Sequence, residues 1–285
     1  MVEIFARRFK VATRANGMTD VLSPSQVCTF SDCEVRWLYK YLLGLPDPPT
    51  AHLALDKAIR TAIMINFLHK LDSKEDIEIE GVVGIFRRAW EQQQTLAVFC
   101  HDDVPEAIGS TGEKLVRVYM QRVAPKIWPA VIHQPVHGVI GAVRIRTELD
   151  LIDVEGAVID IHTSQNARMG QMHRFELATC SRLAPGASGV VRCDILVARN
   201  TPQHLARTWE VTPADIRWSD ALYPLAQHAM QRGYYMPNRN STHCSQHCSQ
   251  HQCPYLVPLR AGFWWRGGGM RLSPPHVESR NLHRC

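Results

Sequence analysis

"AVIDIHTSQNARMGQMHRFELA", residues 157–178, decides how the rest of the chain is read. Its opening "AVIDIHT" alternates in period two, the pattern of a strand, so Asp160 and His162 share one face and Ile159 and Ile161 take the other. The following "QMHRFELATCSRLA" (171–184) reads as a helix that begins at Gln171. Upstream, "AVRIRTELDLIDVEGAVIDIHTS" (142–164) reads as two strands joined by a tight turn at Val154-Glu155-Gly156. In "ELDLID", strict alternation puts Glu148, Asp150 and Ile152 on one face and Leu149 and Leu151 on the other. Pairing through the turn lets Asp150 and Asp160 converge at one end of the sheet. Two carboxylates pressed together against apolar strands repel unless a cation sits between them. Hard oxygen ligands with coordination to spare suit Mg²⁺ or Mn²⁺. The same spacing also fits a hairpin with its acids on a solvated face and His162 as an exposed polar residue.

Further out, "VVRCDILVARN" (190–200) reads as another strand, and helical pieces follow around 212–232. Near the start, Ser23 and Pro24 supply an N-cap and a first helical residue. Val27, Phe30, Val35, Leu38 and Leu42 form a stripe that Gly44 and "PDPPT" end. "AHLALDKAIRTAIMINFLHKL" (51–71) is an apolar helix, with two more helical stretches at 82–98 and 111–123. From about Ala130 the pattern turns to alternation. Helices, a hairpin, a helix and a strand in that order give an α/β or α+β class around a small mixed sheet.

The chain has 285 residues, 45% hydrophobic and 21% charged, the balance of an ordinary globular protein with room for a sizeable core. No run approaches the roughly 18–20 apolar residues of a membrane helix. The first twenty residues carry Arg7, Arg8, Lys10 and Arg14 and lack the apolar stretch of a secretory signal, so they read as a basic leader on a cytoplasmic protein. A net charge of +5 is compatible with a polyanionic partner without requiring one.

Nine cysteines, an odd number in a chain read as intracellular, argue against a disulfide framework. Cys100, Cys180 and Cys193 are scattered, as small buried hydrophobes are. Cys244, Cys248 and Cys253, at spacings of four and five in "STHCSQHCSQHQCPY", point to a metal, with Cys28 and Cys33 as a second group near the start. His243, His247 and His251 make Zn²⁺ the composition's default. An iron–sulfur cluster instead takes four thiolates. From Arg260 onward the chain is rich in Gly, Pro and Arg: Arg260, Arg266, Arg271, Arg280 and Arg284 face a single acid, Glu278. Phe263-Trp264-Trp265 within it fits packing on the domain or stacking on bases.

"LSPSQVCTFSDCEVRWLYKYLLGLPDPP" resembles the opening of the RecB-like branch of the PD-(D/E)XK nucleases, the group that includes the iron–sulfur CRISPR-associated exonuclease and phage homologues. The resemblance continues through Asp150, through Asp160 with His162, and through Gln171 with Phe175, and covers roughly residues 21–257. It implies a restriction-endonuclease-like core with an N-terminal helical segment and a C-terminal cysteine cluster: a leader at 1–20, one domain at 21–257 and a tail at 258–285. It implies phosphodiester hydrolysis on DNA single strands or duplex ends, with Asp150 and Asp160 as the Mg²⁺ or Mn²⁺ ligands and Gln171 supporting the site. It further implies a [4Fe–4S] cluster on Cys33, Cys244, Cys248 and Cys253, with Cys28 in reserve. Protein partners of recombination, repair or CRISPR-type complexes come with it. Arg36, Lys40, Arg168 and Arg174 are candidates for phosphate contacts.

Two departures stand out. His162 occupies the place of the family's catalytic lysine, and a neutral imidazole supplies no permanent positive charge. On the second helix, Asp56, Arg60 and Met64 stand where the family carries a Gly, a metal-ligating His and a Glu. The resemblance therefore implies either a weakened nuclease or a cluster-bearing DNA- or partner-binding module that no longer cleaves.

Overall fold

The computed structural model describes residues 21–241 except for Pro46, Asn166, Arg168, Asn200, Tyr234 and Arg239. The leader, Cys244, Cys248, Cys253, the tail and Arg168 lie outside the described residues.

A six-stranded mixed sheet is organised around β3 (Val143–Asp153). Antiparallel β2 (Pro129–Ile140) runs along one edge of it, from Ile140 opposite Val143 to Pro129 opposite Asp153. The other edge takes β1 (Val21–Leu22) in parallel at Arg144 and Ile145, and β4 (Val158–Ser164) antiparallel at Leu151 and Ile152. From Val158 to Ser164, β4 pairs in parallel with β5 (Val190–Val197), and antiparallel β6 (Gln203–Glu210) completes the sheet. Strands β3 and β4 therefore fork beyond Ile159.

The alternation expected in "ELDLID" does not survive at this fork. Leu149 and Ile152 pack together with Val136, Val158 and Leu177, whereas Leu151 packs on the opposite side with Ile159, Ile161 and Leu196. The switch falls at Asp150. Its place in the register, between the pairs Ile132–Leu151 and Gln134–Leu149, is opposite His133, whose φ is +47°. A positive φ breaks the regular pleat. Glu148, Asp150 and Ile152 consequently do not share one face.

Helices α3 (Ala51–Ser73), α4 (Ile79–Gln94) and α5 (Pro105–Arg122) cover the Leu151–Ile159–Ile161 side. Helix α3 begins where expected, whereas α4 and α5 begin earlier than the 82–98 and 111–123 expected, and "AIGSTG" lies inside α5. A side chain at Gly112 would strike the Phe86 ring 2.2 Å away, so glycine there lets α4 and α5 approach. On the other side lie α6 (Gln171–Leu183), α7 (Pro213–Arg232) and α1 (Pro24–Asp32), joined through Phe175, Tyr223 and Phe30. Thr212 and Asp215 form a reciprocal capping box that starts α7.

The single helix expected from Ser23 to Leu43 is broken. Cys33 is extended (φ −155°, ψ 107°), and the chain resumes as α2 (Glu34–Trp37) and a wide turn, Leu38–Leu42, in which Leu43 N–H donates to the Leu38 carbonyl. The groups on either side of the break are claimed from far along the sequence. Asn238 Nδ2 donates to the Asp32 carbonyl at 2.8 Å, Ser241 Oγ to the Asp32 carboxylate at 2.6 Å, and Met236 N–H to Glu34 at 2.7 Å.

Asp194, on β5 and fully buried, pins sheet to helices. It accepts from the Tyr119 hydroxyl (3.1 Å) and from Arg192 Nε (2.9 Å), and lies 2.8 Å from His204 Nε2. Asp194→Ala strands these partners and is expected to cost about 3–5 kcal/mol. Tyr119→Phe, which removes one neutral donor, should cost about 1 kcal/mol. Urea unfolding midpoints of the two variants check both figures.

Candidate active site

Thr50 caps α3 by accepting the Leu53 N–H, and one turn further in the helix presents Asp56 and Arg60 to the fork between β3 and β4. Three oxygens converge on the Arg60 guanidinium. Asp150 Oδ1 lies 3.3 Å from Nη1, Asp160 Oδ1 lies 3.6 Å from Nη2, and the Ile161 carbonyl accepts from Nη2 at 3.1 Å. Asp56 adds a longer contact at 3.8 Å. Asp150 fits the fork because its second oxygen accepts the Ile161 N–H at 3.0 Å, standing in for β3 backbone where the strands have parted. Asp56 does the same further along β4, taking the Thr163 N–H at 2.6 Å.

The other oxygen of Asp160 faces away from Arg60. His173 Nε2 on α6 lies 3.1 Å from Asp160 Oδ2 and 3.2 Å from Cys193 Sγ on β5. Cys193 is the direct register partner of Asp160 in the parallel β4–β5 pair, and its thiol is 3.9 Å from the carboxylate. His173 Nδ1 faces Glu176, one turn on, at 3.6 Å.

Burial and charge settle the protonation of these groups. Burial pushes the Asp150 carboxyl up, to about 7, against the pull of Arg60. Burial opposes charge on Asp160 too, but the hydrogen bond from His173 and the Arg60 guanidinium outweigh it and hold that carboxyl well below the ordinary range. His162 is held down by burial, with Asp56 4.0 Å from its Nδ1 and the His173 ring 5.1 Å away. For His173, burial is overcome by the contacts of Nε2 with Asp160 and Cys193 and by the Glu176 carboxylate 3.6 Å from Nδ1, and its basicity rises. Of the two imidazoles, His173 is the more basic.

Asp150 and Asp160 thus meet at Arg60, although the alternation that suggested their meeting breaks at Asp150, and His162 stands close by beside Asp56. Gln171 stands exposed at the first position of α6, and it is His173, two residues later, that reaches Asp160. Among the described residues, the expected phosphate contacts are already partnered: Arg36 and Lys40 both bind Asp47, and Arg174 grips Asp215 through two bonds of 2.7 and 2.9 Å while lying over the Trp209 ring. Cys33 sits half-buried at the helix break, whereas the Cys28 thiol is turned toward the Met172 carbonyl on α6. Sequence reasoning passed over Arg60, His173, Glu176 and Cys193 as site residues. The i, i+3 pair in "HRFE" was the one local signal; Cys193 needed the parallel register, which no local pattern encodes.

A profile described as the PD-(D/E)XK nuclease superfamily matches residues 21–256. Among solved structures, the chain is similar to a protein from Eubacterium rectale that carries the provisional name exonuclease. They share 13% identity at a TM-score of 0.50, over 90% of this chain and 98% of that one. A second, SSO0001, is 12% identical over 81% of this chain and 87% of its own, with a TM-score of only 0.32. No curated protein matches the chain.

If Arg60 is the cation of this centre, a divalent ion should be able to replace it. Arg60→Ala is expected to lose about 3–5 kcal/mol without divalent ions, because two buried carboxylates lose their countercharge. Millimolar Mn²⁺ should then raise the melting temperature of the variant more than that of the wild type. Equal shifts in the two proteins would separate Arg60 from cation binding.

Proposed function

Because the chain belongs to the PD-(D/E)XK nuclease superfamily, we propose that it hydrolyses phosphodiester bonds in DNA, as an exonuclease dependent on Mg²⁺ or Mn²⁺. The observation that carries this reading is the convergence of Asp150 Oδ1, Asp160 Oδ1 and the Ile161 carbonyl on one positive centre. Two carboxylates and a carbonyl are the donors a hard divalent ion selects, and here they already surround a cation. Those three groups would hold the ion, which supplies charge to lower the pKa of water and to offset charge on the phosphate.

The chain's own residues divide the remaining work. Arg60, once it yields the acids, is a permanent positive charge tethered beside the same phosphate, and so makes good what the His162 replacement of lysine removes. His162, neutral and neighboured by Asp56, is placed to accept a proton from water. Asp56 holds β4 in position through the Thr163 N–H.

Cys33 with Cys244, Cys248 and Cys253 would bind a [4Fe–4S] cluster, with Zn²⁺ as the alternative occupant. Supporting this, the last described residue, Ser241, bonds to Asp32, the immediate neighbour of Cys33, and the sequence reaches Cys244 three residues later. Cys28, directed to α6, does not share that placement. Protein partners of repair, recombination or CRISPR-type complexes fit the same reading. A cytoplasmic setting belongs to the same proposal; separately, no helix among the described residues is long and apolar enough to cross a membrane.

A second reading has an observation of its own: the Arg60 guanidinium already fills the place of the ion. A module that keeps this arrangement permanently binds DNA without cleaving it. Cleavage of end-labelled single- and double-stranded DNA across a Mn²⁺ series, by anaerobically purified protein beside Asp150→Asn and Asp160→Asn, decides between them. The nuclease reading expects Mn²⁺-dependent products that fall by roughly 10²-fold or more in both variants. A folded, DNA-binding wild type that leaves the ends intact at every Mn²⁺ concentration establishes the second reading instead. The cluster is checked separately, by iron and sulfide content and by its loss in Cys33→Ser.

A further inference from the structure

The side of Asp160 turned away from Arg60 carries a donor set for which DNA hydrolysis has no use. Asp160 Oδ2, His173 Nε2 and Cys193 Sγ lie at mutual distances of 3.1, 3.2 and 3.9 Å, and all three fall within the span one metal ion can bridge. Tetrahedral bonds of about 2.0–2.1 Å to N and O and about 2.3 Å to S place donor atoms about 3.3–3.6 Å apart. We propose that Asp160, His173 and Cys193 bind one borderline-soft divalent cation, of which Zn²⁺ is the type, at a centre distinct from the hard-oxygen site around Arg60.

The donor chemistry selects the ion. A thiolate and an imidazole suit Zn²⁺ and its neighbours and are poor ligands for Mg²⁺, which demands oxygen. The charges suit a divalent cation as well: the Cys193 thiolate and the Asp160 carboxylate, the latter shared with Arg60, offset its charge. Binding displaces the Cys193 thiol proton and the proton on His173 Nε2, and both pass to solvent. In the protein as described, His173 Nε2 faces both Asp160 Oδ2 and Cys193 Sγ, a crowding of two partners on one ring atom which a metal would replace with three bonds.

A second feature points the same way. Metal-binding histidines hand their other ring N–H to a carboxylate, which fixes the tautomer and the ring orientation. Glu176 stands in that position, 3.6 Å from Nδ1, on the same helix as His173. The three ligands come from β4, α6 and β5, so an ion there would tie the crossover helix to the two strands it connects. Asp160 and His173 keep 16% and 19% of their side chains exposed, so two of the three ligands are reached from solvent.

The rival use of a Cys–His–acid group, nucleophilic catalysis, does not fit. Cys193 is fully buried, and burial pushes its thiol up, away from the exposed thiolate that such chemistry needs.

The proposal does not depend on DNA cleavage, so its test is a binding measurement. Full-length wild type, Cys193→Ser and His173→Gln are prepared identically, and zinc content is measured by mass spectrometry. Each is then titrated with Co²⁺ while the thiolate-to-cobalt absorption is followed. The wild type is expected to hold one zinc equivalent more than either variant, whatever the C-terminal cysteines bind. Its cobalt spectrum should contain a thiolate band that Cys193→Ser lacks. Glu176→Gln should retain the equivalent with about 10- to 100-fold weaker affinity. Circular dichroism verifies folding, and His173→Gln decides the matter if Cys193→Ser does not fold. Equal zinc content and matching cobalt spectra in the wild type and the folded variants would overturn the proposal.

Discussion

Two carboxylates buried side by side need a cation, and in this fold the cation is Arg60. At about 3.5 Å and an effective dielectric near 20, unit charges interact by about 5 kcal/mol. Desolvation of the acids and the partial exposure of the guanidinium offset much of that attraction, so its weight lies in positioning. The requirement fixes where α3 can lie, because its guanidinium must enter the fork between β3 and β4 and reach Asp150, Asp160 and the Ile161 carbonyl together. It also explains why the fork is tolerated: Asp150 and Asp56 give β4 back the N–H partners that it loses where β3 turns away.

Asp160 is the pivot of this chemistry. One oxygen belongs to a hard, oxygen-lined centre, and the other faces a nitrogen and a sulfur. Few side chains have such unlike neighbours, and the arrangement follows from topology. On one side, β4 borders the strand that forks away; on the other, it pairs fully with β5, which brings Cys193 level with Asp160.

The sheet class and the meeting of Asp150 with Asp160 were legible in the sequence, because a tight turn and period-two alternation encode a hairpin directly. The alternation failed only at Asp150, where a positive φ at His133 on another strand breaks the pleat, and no pattern local to "ELDLID" carries that information. Arg60 was noticed as a substitution but not as a participant. Its role depends on helix packing across a hundred residues, and an arginine on an apolar helix has many solvated alternatives. Cys193 was taken for a small buried hydrophobe, which by exposure it is; its neighbours make the difference. The break at Cys33 was hidden for a related reason. The helical stripe runs straight through it, and the groups that hold the break open come from residues 236–241.

The hairpin has a consequence for how the centre is held. Asp150 and the Ile161 N–H are 11 residues apart, whereas Arg60 and the Ile161 carbonyl are 101 apart. Closing the longer loop costs about 2 kcal/mol more in chain entropy. In chain entropy alone, the contact that holds the acid to β4 is the less costly of the two to close. The acid side of this centre is thus held locally, through the Ile161 N–H, and its countercharge non-locally, so a change that loosens α3 from the sheet takes the cation away and leaves Asp150 bound to β4.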